Sequence, residues 1–324
     1  MKKQIVLSVI FIFIVLCTSY GQGSSYCGPY VINSPIIWNN VHNKIIDKLE
    51  IANSKGHCIN LTNCSNITIR NCKLGSSKGD GVHLTNCTNI TVTNCSMINV
   101  SSGIVADICK GIKVIYNEVK NVQGPMPRGQ MVQFGNVNGT GNRISYNVGE
   151  NITGQSFPED EISLYMSNGT AEDPIQVIGN WIRGGGPSNS GGGIMTGDKG
   201  GSYILVQDNI LVNPGQYGIT IASGNHIIIK NNKIFGEKLP YSNIGLSAYK
   251  QYPIKSFSNT IINNEVNYTN KKGELNCLWN AGNCGDITGW NTNKYNSKLN
   301  STILPSQIIG RCHKTTKIKQ TAIK

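Results

Sequence analysis

Apolar and polar residues alternate with a period of two in many short segments of the chain. Residues 66–70 (NITIR) and 89–93 (NITVT) are clear examples, since every second side chain is isoleucine or valine. This period is typical of a β-strand with one buried face. After the apolar N-terminal stretch, no segment sustains an apolar period of about 3.6 residues over three turns. The pattern therefore predicts an all-β protein.

The strand segments belong to a repeat. Residues 61–72 read LTNCSNITIRNC and residues 84–95 read LTNCTNITVTNC, an offset of 23 residues. Self-similarity at this period indicates a stacked architecture. A coil of this length is too short for a strand-helix-strand unit of roughly 30 residues. It can hold three short strands, so we predict a parallel β-helix whose coils stack about 4.8 Å apart.

Later copies of the repeat place asparagine where the first two have Cys72 and Cys95. These asparagines are Asn117, Asn147, Asn180, Asn209, Asn232 and Asn264. Asparagine in a turn can adopt a left-handed backbone and form local hydrogen bonds. Stacked in register, the amides can also bond one another in a ladder. The unequal intervals between copies predict a constant core with loops of different length.

These features resemble the right-handed parallel β-helix superfamily, which includes pectate lyases and polygalacturonases. The resemblance covers roughly residues 30–290 and implies a right-handed single-stranded solenoid of about 9–11 coils. It is informative about fold and much less about function, because this scaffold carries many kinds of site.

The two ends of the chain differ from the repeats. Basic Lys2 and Lys3 precede an apolar run from Ile5 to Leu16, which predicts a bacterial secretory signal over residues 1–21. We therefore expect a secreted or periplasmic protein, with a β-helix domain over 22–310 and a C-terminal cap from about 270. Residues 311–324 form a basic segment that we expect to be flexible. No further membrane segment is visible.

Net charge gives a weak indication of partners. The formal charge is +12, but the signal and the C-terminal segment contribute much of it. The remaining charge favours mild attraction to polyanions and gives no argument for nucleic acid. We expect an acidic polysaccharide as partner and a monomeric protein.

Cysteines follow the repeat as well. Cys64, Cys87 and Cys109 share one column, and Cys72 and Cys95 share another. Aligned side chains on stacked coils point the same way, which predicts stacked thiols rather than disulfides. Cys277 and Cys284 flank a short loop and form the predicted disulfide, near the C-terminal cap.

Three long inserts rich in glycine, proline and charge interrupt the middle repeats, at residues 124–130, 156–161 and 183–187. Long loops that break a repeat commonly carry its function. Because the inserts are consecutive, they are expected on neighbouring coils. Arg128 would then lie roughly 5–8 Å from the acidic residues 159–161.

The acidic insert offers two kinds of chemistry. Glu159 and Glu161 are expected on the same side of an extended chain, where they can bind Ca²⁺ or act as acid and base. A solvated acidic turn is the alternative. Arg128 can neutralise a substrate carboxylate or pair with Glu159 or Asp160. Gln130, Gln133 and Asp160 are further candidates for substrate binding.

A second candidate group lies at the other end of the strands. Asp198 and Lys199 are expected about 15 Å along the strand from the level of Glu161. At that distance they cannot act as a direct pair with the acidic residues 159–161. Tyr165 should project near them, and a tyrosine or lysine there can transfer a proton. A solvated turn is the alternative for Asp198 and Lys199. His83 is expected on the outer surface, far from the inserts.

Short segments of the sequence resemble parts of the motifs of two enzyme families. Gly79-Asp80-Gly81 resembles a fragment of the polygalacturonase pattern, but the rest of that aspartate set is missing. Residues 159–162 (EDEI) followed by Arg183 resemble part of the chondroitinase-B and alginate-lyase family. That family's lysine position is occupied here by Met166, and Lys199 is a candidate substitute. The resemblance implies β-elimination on a uronic-acid polymer, with calcium or arginine stabilising the carboxylate.

We therefore expect a polysaccharide lyase acting on an acidic polysaccharide. The candidate catalytic residues are Arg128, Glu159, Glu161, Tyr165, Arg183 and Lys199, and the candidate substrate-binding residues are Gln130, Gln133, Asp160 and Asp198. Glu159 and Glu161 are the expected Ca²⁺ ligands. A non-catalytic carbohydrate-binding or cell-surface protein and a glycoside hydrolase of pectinase-like fold are the alternatives. The estimated separation of the acids disfavours the hydrolase.

Overall fold

The chain passes through three sheets in turn, and the computed structural model describes residues 26–310 of it. The first sheet has 11 strands: Val31–Ile32, Leu49–Asn53, Lys73–Ser77, Ser96–Ile98, Glu118–Lys120, Val148–Glu150, Trp181–Arg183, Ile210–Val212, Lys233–Gly236, Glu265–Tyr268 and Lys294–Tyr295.

The second and third sheets share one long strand, Ile194–Gln207, and together contain 19 strands. The other strands of the second sheet are Ile36–Asn39, Ile59–Thr62, Val82–Thr85, Ile104–Asp107, Val132–Gly135, Ile162–Asn168, Tyr217–Ile221, Ile244–Ala248 and Leu278–Asn280. The other strands of the third sheet are His42–Asp47, Ser65–Arg70, Thr88–Thr93, Lys110–Ile115, Arg143–Ser145, Ile175–Ile178, Asn225–Lys230, Asn259–Ile262 and Ile287–Thr288. Two single-turn 3₁₀ helices, Trp290–Thr292 and Ser301–Ile303, follow near the C-terminal end.

Each strand pairs in parallel with the equivalent strand one coil away. Ile67 lies beside Ile90, which lies beside Ile112, and all three side chains are at most 1% exposed. The alternation found in the sequence thus places one face of the strands in the central coils in a continuous interior. Burial of each such side chain contributes about 1.5–3 kcal/mol. The prediction of an all-β parallel β-helix is confirmed.

The asparagine ladder forms as predicted along the inside of one corner. The side-chain Nδ2 of each member donates to Oδ1 of the next at 2.7–3.1 Å, and the backbone N–H of each member donates to the same oxygen. The members are Asn117, Asn147, Asn180, Asn209, Asn232, Asn264 and, beyond the predicted set, Asn293. Each of these amides is buried, so the ladder satisfies polar groups that water cannot reach.

The left-handed backbone expected of these asparagines lies one residue earlier. Tyr116, Tyr146 and Asn231 have φ values of 57–60°, whereas the ladder residues that follow them have no positive φ. The turn and the ladder therefore use separate positions. This frees the ladder residue to direct its amide inward.

The cysteine columns are stacked free thiols, as predicted. The backbone N–H of Cys87 donates to Sγ of Cys109 at 3.3 Å, and that of Cys72 donates to Sγ of Cys95 at 3.4 Å. The Cys95 backbone N–H in turn donates to Oδ1 of Asn117. In the first coils a cysteine thiol therefore accepts the backbone N–H hydrogen bond that an asparagine side-chain oxygen accepts in the later coils.

The predicted disulfide between Cys277 and Cys284 is wrong, since both are free thiols. Cys277 receives a hydrogen bond from the backbone N–H of Tyr268 in the first sheet. Cys284 packs in the main interior cluster. The strand Leu278–Asn280 separates the two residues and directs their side chains to different neighbours.

After the last coil, the chain runs back along the outside of the first sheet. Leu304 and Ile308 pack there against Val148 and Val212, and the Gly310 N–H donates to Oε2 of Glu118 at 2.9 Å. We call residues 296–310 the C-terminal strap. The predicted signal at 1–21 and the basic segment at 311–324 lie outside the described residues. Within the described part, no helix is long and apolar enough to cross a bilayer.

Candidate active site

A groove of about 430 Å³ lies on the outer face of the second sheet. Its floor is formed by outward residues that the register aligns from coil to coil, namely Gln133, Ser163 and Met195 in one column and Asp107, Gly135, Tyr165 and Asp198 in the next. Its walls come from the inserts and from a later loop, with Met126, Pro127, Arg128, Gln130, Glu159, Asp160, Ser190, Gln251 and Tyr252. The alternation of the strands and the stacking of the coils therefore bring residues from five coils to one surface.

Asp160 is the most perturbed carboxyl group of the groove. Its Oδ1 accepts hydrogen bonds from the Tyr217 hydroxyl and from the Gly192 backbone N–H, and its side chain is buried. Burial raises the pKa of Asp160 to about 7, and the charges of Glu159 and Asp198 act in the same direction. Such a carboxyl group holds its proton close to neutral pH, as a general acid requires.

Asp198 has a similar partner but a different setting. The Tyr252 hydroxyl donates to Oδ1 of Asp198 at 2.9 Å, and the Lys199 ammonium is nearby. Burial raises the pKa of Asp198, while the Tyr252 bond and the Lys199 charge oppose that rise. The net effect is a raised pKa for Asp198, and the shift at Asp160 is the larger of the two. Asp160 and Asp198 thus form a pair in which one partner retains a proton more readily than the other.

A second polar cluster lies at the other end of the groove, around Asp80. This carboxylate is 1% exposed, and its Oδ2 lies 2.8 Å from Nδ1 of His83 and 3.7 Å from Nε of Arg128. Burial alone would raise the pKa of Asp80, but the imidazoles of His57 and His83 and the Arg128 guanidinium hold it at about 2. The cluster therefore fixes Arg128 in the groove, beside Asp107.

His57, Asp80 and His83 also have ligand atoms within 4.8 Å of one another, the spacing expected of a metal site. Nδ1 of His57, however, already accepts the backbone N–H of Asp80 at 2.9 Å. The guanidinium of Arg128 lies beside the same carboxylate and would repel a cation. The donors present fit a metal-free hydrogen-bond network better than a metal centre.

Comparison with known proteins agrees with this architecture. The sequence profile described as the right-handed beta helix region matches residues 34–197. The chain belongs to the right-handed β-helix family. No curated protein matches it at the sequence level.

Several solved structures resemble this β-helix protein. The catalytic domain of a family 87 α-1,3-glucanase in complex with nigerose is 14% identical with a TM-score of 0.55, covering 79% of this chain and 50% of that one. A variant of the same domain gives 13% identity and a TM-score of 0.56 over the same shares. A surface adhesin of Streptococcus pneumoniae, PfbA, is 14% identical with a TM-score of 0.43, covering 73% of this chain and 61% of that one. The β-helix chain spans half the length of the glucanase domains, and at these identities the likeness concerns the fold.

Most predicted site residues of this β-helix protein do line the one groove. They are Arg128, Gln130, Gln133, Glu159, Asp160, Tyr165 and Asp198. Lys199 lies at its edge, with Nζ 5.9 Å from the centre of the Tyr165 ring. The expected neighbourhood of the inserts is also found, since Pro125, Phe157 and Pro187 border a common cavity. The structure thus brings Asp160 and Asp198 to a common groove although their backbone levels are several residues apart.

Glu161 is placed differently from the prediction. Its side chain is fully buried inside the solenoid, where Oε1 accepts a hydrogen bond from Nδ2 of Asn151 at 2.8 Å and Oε2 has no hydrogen-bond partner. Burial raises the pKa of Glu161 well above its ordinary value. The space for it exists because Gly149 occupies an inward position at which its neighbours in register have Val119 and Ile182.

The expectation that Glu159 and Glu161 face the same side is therefore wrong. Glu159 remains at the groove, where its Oε1 accepts the Ser190 hydroxyl. The chain bends just before the strand Ile162–Asn168 begins, and the corner directs both Glu161 and Ile162 inward. A calcium ion shared by Glu159 and Glu161 is incompatible with this arrangement.

Arg183 is also not part of the groove. It ends a strand of the first sheet, and its Nη1 lies 3.3 Å from Glu150 Oε1 and 3.0 Å from the Ser306 carbonyl oxygen. A further bond joins Nη2 to the Pro305 carbonyl oxygen. The predicted catalytic role of Arg183 is replaced by a structural one, because this side chain holds the C-terminal strap.

Sequence reasoning missed two residues that line the groove, Asp107 and Tyr252, and two that support its polar groups from behind, His83 and Tyr217. Asp107 could have been predicted, since it continues the outward alternation of its strand. The contact of His83 with Asp80 could also have been predicted, because the two residues are only three apart in the sequence. Tyr217 and Tyr252 could not have been predicted, because they lie 57 and 54 residues along the chain from the carboxyl groups they contact. No local pattern connects residues so distant along the chain.

Proposed function

We propose that this β-helix protein is a carbohydrate-active enzyme that hydrolyses a glycosidic bond, with Asp160 as general acid and Asp198 as general base. The observation that carries the proposal is the presence of these two carboxyl groups in one groove, each bonded to a tyrosine hydroxyl, with the pKa raised further at Asp160 than at Asp198. Two carboxyl groups in opposite protonation states are what most glycoside hydrolases use.

Hydrolysis at this carboxyl pair involves two proton transfers. The Asp160 proton passes to the glycosidic oxygen as the bond from that oxygen to the anomeric carbon breaks. A water molecule activated by Asp198 gives its oxygen to the anomeric carbon and a proton to the Asp198 carboxylate. A water molecule activated in this way, without a covalent intermediate, corresponds to the inverting form of the reaction.

The charge of the groove favours a neutral glycan. The carboxyl groups of Asp107, Glu159 and Asp198 outnumber the guanidinium of Arg128 and the ammonium of Lys199 at the edge of the groove. An acidic polymer would have to bring its own carboxylates close to these groups, and like charges there weaken association. We therefore propose an uncharged polysaccharide as the substrate, in place of the acidic one expected from the sequence.

Elimination on an acidic polymer is the second candidate. It is favoured by Arg128, which can neutralise a uronate, and by Lys199 beside Tyr165, which can take a proton. The positions of Glu161 and Arg183 remove two of the residues on which the lyase prediction depended. A binding protein without turnover is the third outcome of the test.

The test incubates the protein with uncharged polymers, including α-1,3-glucan, and with uronic-acid polymers. New reducing ends without ultraviolet absorbance from unsaturated sugars would support hydrolysis. Asp160→Asn is then expected to lower kcat by about 10²–10⁴-fold, as is usual for loss of a general acid. Absorbance on a uronic-acid polymer would replace hydrolysis by elimination, and binding without products would reject both.

A further inference from the structure

The outward column that forms the groove floor continues beyond the groove. From Met195 it runs through Thr220 and Ser247 to Trp279 in the last strand of the second sheet. Trp279 is 48% exposed, a large fraction for tryptophan. Three coil steps separate it from Met195, or about 14 Å.

Tyr249 joins this tryptophan to the carboxyl pair. Its ring stacks on that of Trp279, with centroids 5.7 Å apart and planes inclined by 29°. Its hydroxyl donates to Oε1 of Gln251 at 3.0 Å, and Gln251 lines the groove. Burial raises the pKa of Tyr249, and the charges of Asp160 and Asp198 contribute to the rise. The phenol is therefore near the acids while its ring faces the indole.

We propose that Tyr249 and Trp279 form an aromatic subsite for a sugar unit of an uncharged glycan chain. The glycan would extend from the carboxyl pair toward the C-terminal end of the solenoid, parallel to the solenoid axis. This subsite rests on the proposed function in one respect, namely that the groove binds a glycan.

The chemistry of the two rings supports that occupant. The C–H groups of a sugar ring pack on the electron-rich face of an indole, and the Trp279 side chain is open to solvent. The Gln251 amide beside Tyr249 can bond sugar hydroxyls. The distance from the floor of the groove to Trp279 matches a short oligosaccharide, so one chain can contact the carboxyl pair and the indole together.

The experiment measures binding to the full chain carrying Asp160→Asn and Asp198→Asn, so that the ligand is not consumed. The probes are the disaccharide and the hexasaccharide of the nigero-, cello- and malto-series, with oligogalacturonides as the acidic series. Titration calorimetry gives affinity, and tryptophan fluorescence reports on the indole. The variants are Trp279→Ala, Trp279→Phe and the control Tyr295→Ala, whose side chain in the first sheet is similarly exposed at 49%.

The subsite predicts that Trp279→Ala weakens binding of a neutral hexasaccharide by roughly tenfold or more and leaves the disaccharide unchanged. Trp279→Phe should keep most of the affinity, and Tyr295→Ala should keep all of it. Thermal unfolding of each variant separates a binding defect from a folding defect. Equal hexasaccharide affinity in Trp279→Ala, binding of the acidic series alone, or no binding of any probe would overturn the proposal.

The same Trp279 variants, made in the parent chain with Asp160 and Asp198 intact, distinguish this proposal from the proposed function. Trp279-dependent binding by a protein that hydrolyses no polymer would retain the subsite and reject hydrolysis. Hydrolysis whose KM for long substrates is unchanged by Trp279→Ala would retain the enzyme and reject the subsite.

Discussion

The hydroxyl of Tyr217 donates a hydrogen bond to the carboxyl group of Asp160, and this bond stabilises the ionised form of that group. Without it, burial would hold the proton of Asp160 still more firmly. The bond therefore sets the pH above which Asp160 stops being an acid. The Tyr252 bond has the same effect on Asp198, which must be ionised to act as a base.

Tyr217→Phe is expected to raise the pKa of Asp160 above its value of about 7 and to move the alkaline limb of the pH–rate profile to higher pH. Tyr252→Phe is the matched control, because it raises the pKa of Asp198 and should move the acidic limb to higher pH. The measurement is kcat/KM against pH for both variants and the parent. Movement of the acidic limb by Tyr217→Phe would contradict the assigned roles.

Glu161→Gln is expected to stabilise the protein at neutral pH. Because the folded-state pKa of Glu161 is raised, the folded protein keeps a proton that the unfolded chain releases above its ordinary pKa of 4.5. Stability is therefore lost as pH rises above that ordinary value. Glutamine keeps an acceptor for Asn151 and removes this loss, so the gain in unfolding free energy over the parent should increase as pH rises above 4.5.

Urea denaturation of Glu161→Gln and the parent at several pH values checks this prediction. The difference in unfolding free energy should be small near pH 4 and should grow with pH. A difference independent of pH would mean that Glu161 is ionised in the folded protein.

The asparagine ladder predicts unequal effects of two substitutions at Asn209. Alanine removes the oxygen that accepts two bonds from Asn180 and the donor to Asn232, so we expect a loss of about 2–4 kcal/mol. Cysteine should cost less, because Cys95 accepts the equivalent backbone N–H of Cys72 with its sulfur. Denaturant unfolding measures both, and equal losses would show that the hydrogen bonds are not what stabilises this column.

Arg183→Ala should loosen the C-terminal strap without reducing activity. It removes hydrogen bonds to the carbonyl groups of Pro305 and Ser306 and the ion pair with Glu150, a loss of about 1 kcal/mol. Hydrogen exchange over residues 300–310 should become faster, and Arg183→Lys should give an intermediate rate. A large fall in kcat with unchanged exchange would restore the catalytic role predicted from the sequence.

The fold followed from the sequence because its determinants are local and repeated. Alternation in residues 66–70 and 89–93 identified the strands, and the spacing of Asn117 and its successors identified the ladder. Both signals are averaged over many coils, so single deviations do not hide them.

The site was less predictable because it depends on corners and on distant loops. Period-two alternation predicted that the side chains of Glu159 and Glu161 face the same side of the chain. A bend just before the strand instead turns the Glu161 side chain into the interior. The room for Glu161 comes from Gly149, which lies on another strand and carries no local signal. Tyr217 and Tyr252 reach the carboxylates from later coils, and the strand containing Arg183 belongs to a different sheet. Each error arose where one residue's direction depends on the three-dimensional path of another segment.

Both ends of the described chain meet the same side of the solenoid. The Tyr26 N–H bonds to the Asn94 carbonyl oxygen just before a strand of the first sheet, and the Gly310 N–H bonds to Glu118 one coil further on. The described chain thus begins and ends on the first sheet, whereas the carboxylate groove lies on the second. Immobilisation on a bead or a sensor chip through side chains of the first sheet would leave that groove open to a long polymer.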